Sequence, residues 1–280
     1  MMLRNFYDEY ELLEPIDGGE SAEEYYTSVL WYGASKADEQ EVAIKQILLR
    51  DSFDLRERRE IRRLQNQFRE EMRTLKLLQG TNGVVQLVDY FEIELEIIIV
   101  LEKAAGLPLN RYMRERGLFT VDKLFRIGQR LAAILQDIHH KQIIHRDLTA
   151  SNIFIDEGDC VTVIDFGQAY RISGVMERGA GTRGYMPPEA YQLKHKPRAA
   201  YDVFSFGILL FIMLEGRLPY HQEQINSGTA PALQFVTSSP PAALEQLIRR
   251  CIQIDRLQRP SVTEIRYQLQ RMEEHYERCR

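Results

Sequence analysis

The residue pattern of this chain changes character near position 102, and that change limits the architectures open to it. Up to about Glu102, the segments Tyr10–Ile16, Tyr25–Tyr32, Glu41–Leu48, Val84–Glu92 and Ile97–Leu101 are rich in β-branched and aromatic residues and read as strands. A charged stretch interrupts them, and within it Phe68, Met72, Leu75 and Leu78 recur at helical spacing on one face. Beyond Gly106 the pattern turns helical. Leu124, Ile127, Leu131, Ile134, Leu135 and Ile138 form an apolar stripe behind a Thr120 N-cap, and Ser261 with Glu264 makes a capping-box pattern directly after Pro260. Ile153–Ile155 and Val161–Ile164 flank the turn residues Asp156-Glu157-Gly158-Asp159 and read as a short hairpin. Strands first and helices afterwards imply an α+β chain of two lobes. A small N-lobe, an antiparallel sheet with one principal helix, spans about 1–102, and a mainly helical C-lobe spans about 107–280. A small-molecule cleft is expected where they meet, near residues 101–106.

Composition excludes several classes. Charged residues make up 28% of the chain, yet the net charge is −5, which argues against nucleic acid or an anionic membrane as the main partner. The basic cluster Arg56, Arg58, Arg59, Arg62 and Arg63 is interrupted by Glu57 and Glu60 and reads as a solvated helix face. Cys160, Cys251 and Cys279 are too few and too scattered for a disulfide framework or a zinc site. The opening residues carry acid where a secretion signal needs base and an apolar run. The apolar run Val203–Leu214 is too short to span a bilayer and reads as a buried core helix. The cytosol, or the nucleus, is the expected compartment.

Four motifs carry chemistry. His145-Arg146-Asp147-Leu148 is followed by Asn152, and Asp165-Phe166-Gly167 follows across the hairpin. Val42-Ala43-Ile44-Lys45 lies on a strand upstream, and Pro187-Pro188-Glu189 closes a glycine-bearing stretch downstream. In this order and setting the sequence resembles the protein kinase family, from about Tyr10 to about Met272. The resemblance implies a catalyst that positions groups and neutralises charge. It implies ATP and Mg²⁺ as nucleotide and metal, with Asn152 and Asp165 as hard oxygen ligands. Lys45 suits the nucleotide phosphates and needs an acidic partner on the helix. Glu71 fits that role because Leu75 then takes the family's apolar position, and Glu70 is the alternative. Asp147 would receive the proton of the substrate hydroxyl.

The resemblance also implies the nucleotide pocket. Leu101 looks like the gatekeeper, and the backbones of Glu102 and Ala104 look like the hinge that binds the base. Val29, Ala43 and Phe154 would sandwich the ring. Leu75, Leu87, His145 and Phe166 look like the apolar column joining the lobes. Asp202 resembles the buried aspartate that anchors the catalytic loop, and Glu189 with Arg259 resembles a buried structural ion pair.

The chain departs from the family pattern in two places. Kinases place three glycines between the first two strands so that backbone amides approach the phosphates. Counting back from Val29, those positions are Ala22, Glu24 and Thr27. Counting forward from Ile16, only Gly19 matches and the hairpin is several residues longer. On either count Glu20, Glu23 and Glu24 lie near the phosphates, which weakens nucleotide affinity unless they turn to solvent. The second departure is Thr149, where serine/threonine kinases carry lysine. Ser151 likewise lacks the arginine of tyrosine kinases and the acid of arginine-preferring kinases.

Gly181-Thr182-Arg183-Gly184-Tyr185 resembles the serine/threonine-kinase segment, so the substrate is expected to be a protein serine or threonine, with dual specificity as the alternative. A pseudokinase, a binding module with lost catalysis, is the alternative function. Glu177 paired with Arg146 would order the activation segment without phosphorylation. Asp51–Gln67 reads either as an N-terminal extension of the glutamate helix or as a separate short helix.

Overall fold

The computed structural model describes residues 5–51, 54–93, 95–172, 181–191, 196–220, 224 and 233–278, with the side chains of 17–22 outside the description. Two compact units result. One comprises the chain up to Gly80 together with Val85–Ala104, the other Thr81–Val84 together with everything from Ala105 onward.

The first unit is built on five antiparallel strands: β1 (Tyr10–Ala22), β2 (Tyr26–Ser35), β3 (Glu41–Leu49), β4 (Leu87–Ile93) and β5 (Glu96–Glu102), in the order β1-β2-β3-β5-β4. Alternation along β3 sets its two faces. Val42 and Ile44 pack with Phe91, Ile98 and Val100 on one side. A four-residue helix, α1 (Phe6–Glu9), closes that side by burying Phe6 completely, stacked on Tyr10 and edge-on to Phe91. Such burial stabilises by roughly 1.5–3 kcal/mol.

The helix α2 (Leu55–Leu78) runs unbroken for 24 residues, and Ile61, Phe68, Met72, Leu75 and Leu78 are its buried stripe. Asp54 caps it, accepting from the N–H groups of Arg56 and Glu57 at 2.8 and 3.1 Å. Of the two alternatives for Asp51–Gln67, the helix therefore continues back to Leu55 in one piece. The strand expected from Val84 starts later, at Leu87. Val84 instead forms an isolated bridge to Val163 in the second unit, and Gly83, at φ 74°, offers its carbonyl to the Val163 N–H at 2.8 Å.

The second unit contains α3 (Leu109–Arg116), α4 (Val121–His140), α5 (Ala199–Glu215), α6 (Ala242–Cys251) and α7 (Val262–Arg278). The apolar stripe of α4 is buried as its spacing requires, and Thr120 caps it through Lys123 N–H. In α5, Tyr201 through Glu215 are all buried. Gly207 permits this: a Cβ there would lie 2.6 Å from that of Cys251 on α6. Short strands β6 (Leu107–Pro108), β8 (Ile153–Ile155) and β9 (Val161–Val163) form one small sheet, and β7 (Ile143–Ile144) pairs with β10 (Tyr170–Arg171). The loop from His145 to Asn152 is thus slung between two strand ends. Among the described residues no helix is long and apolar enough to cross a membrane.

Candidate active site

Each unit contributes its own set of residues. In the first, Lys45 lies on β3 on the face opposite Val42 and Ile44, and its Nζ is 3.1 Å from both carboxylate oxygens of Glu71 on α2. Glu71 is almost wholly buried and Lys45 is 18% exposed, so the pair is shielded from water on the carboxylate side. Glu70, one residue away, turns outward and pairs with Arg73. Ala43 and Leu101 sit opposite one another across β3 and β5, and Leu101 also faces Leu87.

The register bears on one residue of the expected ring sandwich. Directly opposed residues of antiparallel strands share a sheet face. Val29 is opposite Gln46, on the face away from Lys45, whereas Leu30 is opposite Lys45 itself. Leu30 is the β2 residue on the face of Ala43 and Lys45. Between the pairs Pro15–Trp31 and Glu20–Val29, β1 inserts extra residues as a bulge and then pairs on to Ala22–Thr27. A tight turn follows, closed by Glu23 N–H on the Tyr26 carbonyl at 2.8 Å. Glu23 and Glu24 are exposed there, and Glu24 accepts from the Tyr25 hydroxyl, which raises the phenol's pKa. The side chain of Glu20 lies outside the described residues. Glu102 ends β5 at the surface, its N–H on the Gln86 carbonyl at 2.9 Å, and Ala104 follows, half-buried.

In the second unit the centre is Asp147. Its Oδ1 accepts two hydrogen bonds from Thr182, from N–H at 2.8 Å and from the hydroxyl at 2.7 Å. The Asn152 amide donates to the Asp147 carbonyl at 2.9 Å and to Oδ2 at 3.3 Å. The loop that carries Asp147 is suspended from Asp202 on α5. That carboxylate accepts from the backbone N–H of His145 and of Arg146, both at 2.9 Å, and lies 2.8 Å from His139 Nε2. Burial alone would raise the Asp202 pKa, but the hydrogen bond and charge of His139, with the backbone donors, hold it below the usual carboxylate value.

Arg146, at φ 66°, donates through Nε to the Gln168 carbonyl at 2.6 Å and lies over the Tyr170 ring. The suggested partner Glu177 lies outside the described residues. Asp165 also adopts a left-handed conformation, φ 60°, with Oδ1 accepting from Gly167 N–H at 3.1 Å. Buried Phe166 meets the His145 ring at 4.8 Å, and Phe154 is half-buried on β8. At the two departing positions, the hydroxyls of Thr149 and Ser151 bond each other at 2.8 Å.

Leu30 and His139 escaped the sequence, and Tyr185 was read there only within its segment, without a role. Leu30 shares the face of Lys45 only through the β2–β3 pairing, which no sequence motif marks. His139 carried no signal, since it stands 63 positions from Asp202 at the end of a helix read for its apolar stripe. Tyr185 reaches back to the Asp147 loop, its hydroxyl accepting from Ala150 N–H at 3.4 Å. Among the described residues no cluster of three or more His, Cys, Asp or Glu forms a metal cage.

Comparison with known proteins agrees with this arrangement. The family model described as protein kinase domain matches residues 26–269. The serine/threonine-protein kinase STY46 of Arabidopsis thaliana is 33% identical over 220 residues, covering 74% of this chain and 37% of that protein. The SNF1-like protein kinase ssp2 of Schizosaccharomyces pombe is 32% identical over 245 residues, 81% of this chain and 39% of that protein. The CBL-interacting protein kinase 26 of Oryza sativa subsp. japonica is 28% identical over 269 residues, 92% of this chain and 51% of that protein. The chain therefore spans about half the length or less of these curated relatives. With the matched family model covering most of its length, this chain belongs to the protein kinase family.

Proposed function

We propose that the chain is a protein serine/threonine kinase, transferring the γ-phosphoryl group of Mg-ATP to a hydroxyl of a protein substrate. The observation that carries this reading is the double hold on Asp147. Thr182 donates twice to Oδ1, while the Asn152 amide holds the backbone carbonyl at 2.9 Å and reaches Oδ2 only at 3.3 Å, which leaves Oδ2 the less engaged oxygen for an incoming hydroxyl. Asp147 orients that hydroxyl and takes its proton as the new oxygen–phosphorus bond forms and the bond to the ADP oxygen breaks. Lys45, held by Glu71, is the cation for the non-transferred phosphates.

The residues fit a hard divalent cation. Asn152 commits its amide nitrogen to Asp147, which leaves the carbonyl Oδ1 as the ligand atom, and Asp165 supplies a carboxylate. Few protein ligands suit Mg²⁺, which takes phosphates and water for the rest of its shell. Bound with nucleotide, the metal supplies charge neutralisation across the phosphates. The Thr182 contact supports serine or threonine as acceptor. The cytosol or nucleus is the proposed compartment, with a protein and a nucleotide as partners.

A pseudokinase is the second reading, favoured by the glutamates of the β1–β2 turn and by Thr149 in place of a lysine. Wild type and Asp147→Asn, incubated with Mg²⁺, labelled ATP and a generic protein substrate, separate the two. Incorporation by wild type that vanishes in the variant supports the kinase. Equal incorporation, with no thermal shift on adding Mg-ATP, overturns it.

A further inference from the structure

A groove of about 360 Å³ opens in the second unit between α3, the Asp147 loop and the segment that leaves α5. Its position is tied to the acceptor site at two points. Ala150, on its wall, is three residues past Asp147, and Tyr185, on the same wall, is three past Thr182. Three residues of chain reach at most about 11 Å, so the groove begins within three or four residues of an extended peptide laid from Asp147. Leu218, another wall residue, packs so closely on Gly184 that a Cβ there would lie 2.7 Å from it, which ties the groove to the strip that follows Thr182.

Among the described residues the lining is apolar apart from Asn110, Tyr185 and two cations, Arg114 and Arg217, and none of them is acidic. Arg114 is exposed and makes no hydrogen bond or ion pair with any described residue. Its helical neighbour Glu115 is engaged by Arg111 at 2.6 Å. Arg217 is held rigidly, over the Phe211 ring and with Nη2 on the Gln234 carbonyl at 2.8 Å. The acid nearest it, Glu215 at 3.8 Å, has a fully covered side chain and spends its oxygens on the N–H groups of Val236, Thr237 and Ser238. Next in sequence to Ala150, Ser151 is bonded to Thr149 and offers no carboxylate to a basic side chain.

We infer that this groove selects substrates by charge, accepting a carboxylate or phosphate side chain within about four residues of the acceptor hydroxyl. The inference rests on the kinase reading above and names its substrate class. Arg114 and Arg217 meet the anion, while Met113, Leu118 and Ile212 cover the methylene stem.

The test uses the full chain and labelled peptides with one serine acceptor. Alanine, glutamate, phosphoserine or arginine is placed in turn at each of the four positions on either side. Binding is read by fluorescence anisotropy and transfer by label incorporation. Glutamate or phosphoserine at one or more positions should tighten binding about fivefold over alanine, the scale of an exposed ion pair, and arginine should weaken it. Preference for both acidic peptides assigns the groove to carboxylate and phosphate alike, and preference for phosphoserine alone assigns it to a previously phosphorylated substrate. Arg114→Glu should abolish the acidic-over-alanine ratio, and Arg114→Lys should keep most of it. If neither anion binds better than alanine at any position, or if Arg114→Glu leaves the ratio unchanged, the inference is overturned. Transfer without charge preference overturns it while the kinase stands. Charge-selective binding without transfer to any peptide overturns the kinase reading instead.

Discussion

Thr182 donates twice to the same oxygen of Asp147, from its backbone at 2.8 Å and from its hydroxyl at 2.7 Å, across 35 positions of sequence. The backbone bond survives most substitutions, but the hydroxyl bond does not. It is a hydrogen bond to a charged group, worth about 1.5–3 kcal/mol where geometry is good. Thr182→Val keeps the shape and removes only that donor. We expect kcat to fall about 10- to 100-fold while the melting temperature stays close to wild type, because Thr182 is exposed. Thr182→Ser should retain most of kcat. A Thr182→Val enzyme with unchanged kcat would show that the contact does not position the carboxylate.

Lys45 and Glu71 offer a different test, because their pairing can be measured without activity. The carboxylate is buried and the ammonium is partly exposed, so removing the lysine leaves the costlier charge behind. Lys45→Met should destabilise the protein by about 1–3 kcal/mol. Glu71→Gln should cost less, and the double variant less than the sum of the two. A urea-denaturation cycle giving a coupling below about 0.5 kcal/mol would mean that the two residues act independently.

Which parts of the site could be seen in sequence follows from how local their causes are. Lys45 and Glu71 were legible because Val42–Lys45 resembles the kinase strand, a lysine on a buried strand has a local need for an acid on the neighbouring helix, and Leu75 at the family's apolar position favours Glu71 over Glu70. The α4 stripe and its Thr120 cap were legible for the same local reason. Val29 anchored the count of the glycine positions, but the face it occupies depends on how β2 pairs with β3, and one step along a strand exchanges sheet faces. Phe6 was missed because a four-residue helix has too little pattern to read, although its ring closes one face of the sheet. The links from Asp202 to His139 and from Tyr185 to Ala150 join distant segments, and only tertiary packing brings them together.

Arg259 and Glu189 should behave as a structural unit. The guanidinium forms a fork on the carboxylate at 2.6 and 2.8 Å and also donates to the carbonyls of Gln253, Ala200 and Ile254. Its side chain is wholly covered, and it lies over the Phe204 ring. Lysine cannot reproduce the fork, so even Arg259→Lys strands part of this network. We expect Arg259→Lys and Glu189→Gln each to cost about 3–5 kcal/mol, seen as a lower denaturation midpoint and poor soluble yield. Either variant folding with wild-type stability would place the pair among the dispensable contacts.

The last prediction concerns acid. Burial by itself would raise the pKa of Glu215. Three backbone N–H groups and the Ser238 hydroxyl outweigh it and bring the carboxyl from its ordinary 4.5 down to about 2. A depressed folded-state pKa means that the ionised form is favoured by folding. The associated stability is fully present above about pH 4.5 and is lost as pH falls towards 2. At 1.36 kcal/mol for each pKa unit the effect is about 3 kcal/mol at neutral pH. Glu215→Gln should therefore be destabilised by up to that amount at pH 7, with the gap from wild type closing between about pH 4.5 and pH 2. The check is a pair of urea titrations repeated across that range. A gap that stays constant with pH would mean that packing, and not the charge of Glu215, holds the Val236–Ser238 segment against α5.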